Sequence, residues 1–254
     1  MASITIDKRF CGPPNSGNGG YVCGLLARHI GASAEITLRA PPPLGQRLDI
    51  VARADGALDL REGEAILATG RPARTEISEI PAASYSEAED AVRRTPFDEN
   101  NHKFPTCFVC GPARAPGDGL RIFAGPLSAR ADQEIEAFAA PWVPSANLTG
   151  DDGCVAAEFV WAALDCPTGY AGAHHLALSG AETILLGRMS ARIDERPMPG
   201  DRCVVVAWPT GRDGRKLFAN SALLRTDGKV MAVAQATWPL VGRHVQLGQR
   251  QSGG

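Results

Sequence analysis

The sequence predicts an α+β fold made of two similar units in one chain. Each unit is expected to be an antiparallel sheet wrapped around a long central helix, and the two are expected to pair as a pseudo-dimer. Three observations carry this. First, residues 155–171, VAAEFVWAALDCPTGYA, place Ala156, Phe159, Val160, Ala163 and Leu164 at three- and four-residue spacing, while Val155, Trp161 and Ala162 fill the other sides. A helix that is apolar all round is a buried one, and this one falls short of the about 20 apolar residues that a bilayer needs. Second, the order strand, helix, run of strands occurs twice along the chain. Third, residues 57–68, ALDLREGEAILA, resemble residues 222–233, ALLRTDGKVMAV, with Gly63 and Gly228 aligned. Upstream, PLGQR at 43–47 resembles MPGDR at 198–202. The offset differs between these matches, which places an insertion near residues 211–215. Repetition of this kind suggests a fused dimer.

In chain order, residues 2–10 alternate and read as a strand. Residues 11–20, CGPPNSGNGG, are turn formers almost throughout. Residues 21–30 read as a helix of about three turns, with Gly31 as a cap just past its end. Strands follow at 34–40 and 47–54, then a hairpin of 57–60 and 64–70 around Glu62-Gly63. Residues 80–103 are rich in Glu and Asp, contain Pro81 and Pro96, and show only a short helical pattern at 86–94. They read as a linker running over the surface between units 1–79 and 104–242. In the second unit, strands are expected at 119–123 and 134–140, then the apolar helix, then strands at 184–193, 202–208, 216–225 and 229–238. The polar tail 243–254 is expected to be disordered.

A chain of 254 residues allows one large domain or two of ordinary size. With 44% hydrophobic and 21% charged residues it has ample material for a core. The formal net charge of -2 argues against a nucleic-acid or anionic-membrane surface. The first ten residues carry no apolar stretch of the kind that opens a signal peptide. The seven cysteines, an odd number, then suit reduced thiols in a cytoplasmic protein.

A strand, a central helix and an antiparallel run around it describe the hotdog fold, and several local patterns resemble its acyl-CoA thioesterases. Asn18-Gly19-Gly20 is similar to the His-Gly-Gly that starts the central helix in many of them. Leu164-Asp165-Cys166-Pro167-Thr168-Gly169 resembles the later part of that helix, which carries the family's catalytic carboxylate. Cys107-Phe108-Val109-Cys110-Gly111-Pro112, followed by Gly117-Asp118-Gly119-Leu120, resembles a segment that often opens such domains. The resemblance implies a double hotdog acting on an acyl-CoA or other acyl thioester in fatty acid metabolism. It implies no metal and no cofactor beyond the CoA of the substrate, and it allows a homodimer of chains. It also implies active sites between units, with one unit supplying helix-start N–H groups and the other a carboxylate. The halves look specialised. The first keeps Asn18-Gly19-Gly20 but has Ala27 or Arg28 where the carboxylate would fall. The second keeps Asp165 but starts its helix with Ala156-Ala157-Glu158.

One complete site is therefore expected. Gly19 and Gly20 would offer N–H groups at a helix N-terminus, where the dipole favours negative charge. Such donors stabilise an oxyanion by about 3–4 kcal/mol each. Asp165 would activate water or attack the thioester itself, and the sequence leaves that choice open. It equally allows a local capping or pairing role for Asp165. Thr168, about one turn on, would orient the water. Asn18 either bonds the carbonyl or caps the helix. Tyr21, Trp161, His174 and Arg188 are candidates for binding substrate, Arg188 through CoA phosphates together with Arg39 and Arg192, although arginines on strands usually face solvent. Glu158 reads as a second acid or, by preference, a structural charge.

Cys107-x-x-Cys110 has metal-like spacing, but a tetrahedral zinc site needs two more ligands. His102 or His174-His175 would have to supply them, so no metal is expected. The loop 11–20 lacks the Lys-Ser/Thr ending of a phosphate-binding loop. Two other functions compete. A hydratase or dehydratase of this fold would need an Asp/His pair near a helix start, which is not found. A silent acyl-thioester-binding or scaffold protein would explain the complementary losses as decay.

Overall fold

The structure, a computed structural model, describes residues 2–98, 100–129, 136–175 and 182–241. The tail expected to be disordered lies outside the described residues. The first half contains β1 (Ala2–Thr5), α1 (Gly19–Ala27), β2 (Ser33–Leu38), β3 (Arg47–Ala52), β4 (Leu58–Glu62) and β5 (Ala65–Pro72). A helix α2 (Tyr85–Val92) crosses to the second half. That half has β6 (Gly125–Pro126), β7 (Phe138–Trp142), α3 (Ala157–His175), β8 (Thr183–Ile184), β9 (Arg188–Ile193), β10 (Cys203–Asp213), β11 (Lys216–Arg225) and β12 (Val230–Val241).

The strand order is β1-β3-β4-β5-β2-β9-β12-β11-β10-β7-β6, with β8 paired to β12. Read from the middle outward, the two sides match: β2 with β9, β5 with β12, β4 with β11, β3 with β10, β1 with β7. In each half the helix lies between the first strand and its neighbour in sequence. This agreement of topology is independent of turn glycines, and it supports the duplication. Both of those glycines do occupy left-handed backbone, Gly63 at φ 57° and Gly228 at φ 85°, a region that side chains disfavour.

Two expectations need correction. The halves do not keep separate sheets. β2 and β9 pair antiparallel, Ser33 opposite Arg192 through Thr37 opposite Arg188, so the described strands form one continuous twelve-stranded sheet. Each of these strands would otherwise end its half-sheet as an edge, with a row of unpaired backbone groups. The helices are also unequal. α3 has 19 residues, but α1 has only nine. It starts at Gly19, where the Asn18 side chain accepts from the Tyr21 N–H at 2.9 Å, and it winds down where Gly31 N–H bonds back to the Ala27 carbonyl.

Smaller differences follow from local chemistry. No strand forms at 119–123. Instead Leu120 and Ile122 donate to Phe108 and Val109, tying this stretch to the Cys107–Cys110 turn. The strand expected at 184–193 is split into β8 and β9. β10 runs on to Asp213 through a register shift between Pro209 and Gly211, which is where the inserted residues sit. The segment expected to run over the surface also packs. Ser84 and Glu87 form a capping box at the start of α2, and Ala88 and Ala91 are fully buried beside Val204 and Val206. β10 therefore has apolar neighbours on both faces, which is why residues 203–208 read as an unbroken apolar run. The larger core lies on the other face. There α3 packs on β10, β11 and β12, α1 packs on β2 and β5, and the two helices pack on each other. No helix among the described residues is long and apolar enough to cross a membrane.

Candidate active site

The contact between α1 and α3 brings the two separated motifs together. Gly20 donates its N–H to Asp165 Oδ2 at 2.8 Å, and Asn18 Nδ2 donates to the same oxygen at 3.1 Å. Backbones can approach this closely because Gly20 has no side chain: a Cβ there would collide with the Cβ of Asp165. Of the roles expected for Asn18 the structure shows the cap, with Oδ1 accepting at the start of α1, and it adds one the sequence did not suggest, with Nδ2 donating across to the carboxylate. Asp165 is 1% exposed, and its second oxygen, Oδ1, has no partner among the described residues. Burial pushes its carboxyl up to about 7, against the Gly20 N–H, which favours the charged form.

Asp165, Asn18 and Gly19 line a cavity of about 1070 Å³. Its walls come from both halves and are largely apolar, including Leu38, Phe97, Leu186 and Trp238. This volume suits a sizeable organic ligand. No hydrogen bond to the Gly19 N–H is found among the described residues, whereas the Gly20 N–H is taken by Asp165. Of the two glycines expected to hold an oxyanion, only Gly19 keeps its donor free at the cavity wall.

Other expected site residues sit elsewhere. Thr168 is fully buried. It donates to the Asp165 carbonyl at 2.6 Å and accepts from the Trp238 indole at 2.8 Å, so it has no free hydroxyl to orient water. Tyr21 stacks on Phe10 with ring centroids 4.3 Å apart and does not line the cavity. Trp161 is buried at the helix crossing. Arg188 is half exposed and bonds Thr37 Oγ1. In each case the reason is direction: these side chains leave their helix or strand on a face other than the cavity's. His174 does line the cavity, at the end of α3 rather than in a loop, with Nε2 3.2 Å from Glu136 Oε1.

The second, quasi-symmetric site is closed. Arg28 at the end of α1 meets Glu158 at the start of α3, Nη1 to Oε1 at 2.9 Å. A cavity of only about 150 Å³ remains there, beside Trp161 and Arg196. Glu158 thus pairs with Arg28, and of the two helix contacts only that at Asp165 opens on a large cavity among the described residues.

The sequence missed one group at this site. Cys107 and Cys110 were matched with histidines, but it is Cys166, the residue after Asp165, that joins them. The three sulfurs lie within 4.8 Å of one another, all buried, and all three residues line the cavity. Asn18 Nδ2 is 3.8 Å from Cys107 Sγ and 3.9 Å from Cys166 Sγ. Hydrogen bonds from the Cys110 and Cys166 thiols hold the Cys107 thiol well below its ordinary range. His102, one of the histidines weighed against a zinc site, bonds Tyr170 Oη through Nε2 at 3.1 Å. The only sequence signal for the trio was that Cys166 adjoins the candidate carboxylate.

No family model matches the sequence, and no curated protein matches it. Solved structures do. A tesB protein of Mycobacterium avium subsp. paratuberculosis superposes with a TM-score of 0.62 at 12% identity, covering 94% of this chain and 92% of that one. Acyl-CoA thioesterase II TesB2 of Mycobacterium marinum gives 0.59 at 12% identity, with the same coverage of each. A hot dog fold protein of unknown function from Alicyclobacillus acidocaldarius gives 0.56 at 10% identity, again covering 94% and 92%. Over nearly its whole length, this chain has the hotdog fold found in TesB-like thioesterase structures.

Proposed function

We propose that this chain hydrolyses acyl thioesters of the acyl-CoA class, with Asp165 as general base. The observation that supports this best is the carboxylate itself. It is anchored through Oδ2 by groups of the other half, without a partner at Oδ1 among the described residues, and set in the wall of a large apolar cavity. The fold shared with thioesterase structures points the same way.

In this reading the acyl chain occupies the apolar part of the cavity and the thioester carbonyl faces Gly19. Water attacks the carbonyl carbon and gives its proton to Asp165 Oδ1. The negative charge gathers on the carbonyl oxygen, where the Gly19 N–H and the positive end of α1 stabilise it. The carbon–sulfur bond then breaks, and the leaving thiolate takes the proton back from Asp165. The Gly20 N–H and the Asn18 amide position the base.

The test is hydrolysis of a panel of acyl-CoAs, with released CoA detected by a thiol reagent. Asp165→Asn should lower kcat/KM at least about a hundredfold while the variant still binds the CoA ester. Unchanged turnover in this variant would overturn the assignment. Binding of CoA esters with no turnover of any by the wild type would favour a silent binding protein.

A further inference from the structure

Cys107, Cys110 and Cys166 have no task in that reaction, and their arrangement is unlike three thiols buried merely for packing. A tetrahedral zinc site with Zn–S bonds of about 2.3 Å has sulfur–sulfur edges of about 3.8 Å. Cys107 Sγ and Cys166 Sγ are 3.8 Å apart, and no pair in the trio exceeds 4.8 Å. Contraction by at most about 1 Å would complete one face of that tetrahedron.

The surroundings are also those of a thiolate cluster. Cys107 to Gly111 form a turn so tight that a Cβ on Gly111 would lie 2.5 Å from the Cys107 nitrogen and oxygen. The turn is closed by the Gly111 N–H, which donates to the Cys107 carbonyl at 2.9 Å. The Asn18 amide points its Nδ2 at two of the sulfurs. Donors of this kind around sulfur ligands orient them and stabilise their charge. All three cysteines line the cavity, as does Asp165.

We infer that Cys107, Cys110 and Cys166 bind a thiophilic divalent cation of the zinc class, with the fourth coordination position open to the cavity beside Asp165. Three protein ligands and one exchangeable position are the pattern of sites that present a metal to a ligand, not of purely structural ones. The sequence concealed this because the third sulfur comes from the buried helix, 59 positions beyond Cys107. The site goes beyond the proposed hydrolysis and does not depend on it, since metal binding is read without turnover.

The test uses the full chain, stripped with a chelator under reducing conditions and then titrated with Co²⁺. About one equivalent per chain should bind, with thiolate-to-cobalt charge transfer in the near ultraviolet and the visible bands of tetrahedral cobalt. Zn²⁺ should displace it and abolish both signals. Cys107→Ser, Cys110→Ser and Cys166→Ser should each weaken binding at least about tenfold, and Cys154→Ser, outside the trio, should leave it unchanged. Absence of charge transfer in the wild type overturns the proposal whether or not the variants fold.

Discussion

Asp59 and Asp165 are 0% and 1% exposed, yet their surroundings push them in opposite directions. For both, burial opposes the charge. Around Asp165 it prevails, because two neutral donors face one oxygen and, among the described residues, none faces the other. Around Asp59 it is outweighed. Arg61 Nη2 lies 2.8 Å away, Thr69 Oγ1 donates at 3.0 Å and Arg53 is 3.7 Å distant, which together hold the carboxyl below its ordinary value. A depressed carboxyl stabilises the fold above its unfolded pKa of about 3.9, and that contribution is lost as pH falls through the folded value. Urea midpoints of the wild type and Asp59→Asn should therefore differ by a constant amount above about pH 4, and the gap should shrink below it. A gap that persists to the lowest pH at which the chain stays folded would show that Asp59 acts through packing alone. The sequence marked Asp165 because it interrupts an apolar helix. It could not mark Asp59, which lies in a strand between ordinary neighbours and owes its burial to the sheet.

At the scale of elements, the decisive contact is the crossing of α1 over α3. Both glycines of α1 beyond its first residue point at α3. A Cβ on Gly20 would strike Asp165, and one on Gly24 would lie 2.5 Å from the Glu158 Cα. Gly20→Ala should force the helices apart, at a cost of about 1–3 kcal/mol in stability. It should also lower kcat/KM, since it displaces the anchored carboxylate. Chemical denaturation and the CoA-release assay read the two effects separately. Unchanged stability and rate together would show that the crossing has slack to spare. Helix and hairpin positions were legible because local patterns of burial and turn chemistry specify them. The β11 bounds agree with the sequence reading, and the β3 start agrees as well. Where local pattern is weak, as at residues 119–123, long-range bonds to the Cys107–Cys110 turn override it.

At the scale of the molecule, pairing of β2 with β9 and packing of α1 on α3 join the halves through both layers. The larger core cluster runs through both halves, and the chain should unfold as one cooperative unit despite its two-fold construction. Calorimetry should show a single transition with matching calorimetric and van't Hoff enthalpies. Two resolved transitions would mean that the halves are stable apart and that the shared sheet contributes little to the whole.

Read alone, the sequence determined what depends on neighbours along the chain: two copies of a strand–helix–strands unit, a buried helix carrying Asp165, and a capped helix start at Asn18-Gly19-Gly20. Periodicity and turn residues encode these locally. Only the tertiary structure decided that the half-sheets fuse, that Gly20 holds Asp165 while Gly19 faces the cavity, that Arg28 and Glu158 pair across the second helix contact, and that Cys166 completes a trio with Cys107 and Cys110. Each of these joins residues more than fifty positions apart. Such contacts are selected by burial and backbone pairing across the whole molecule, and no local pattern records them.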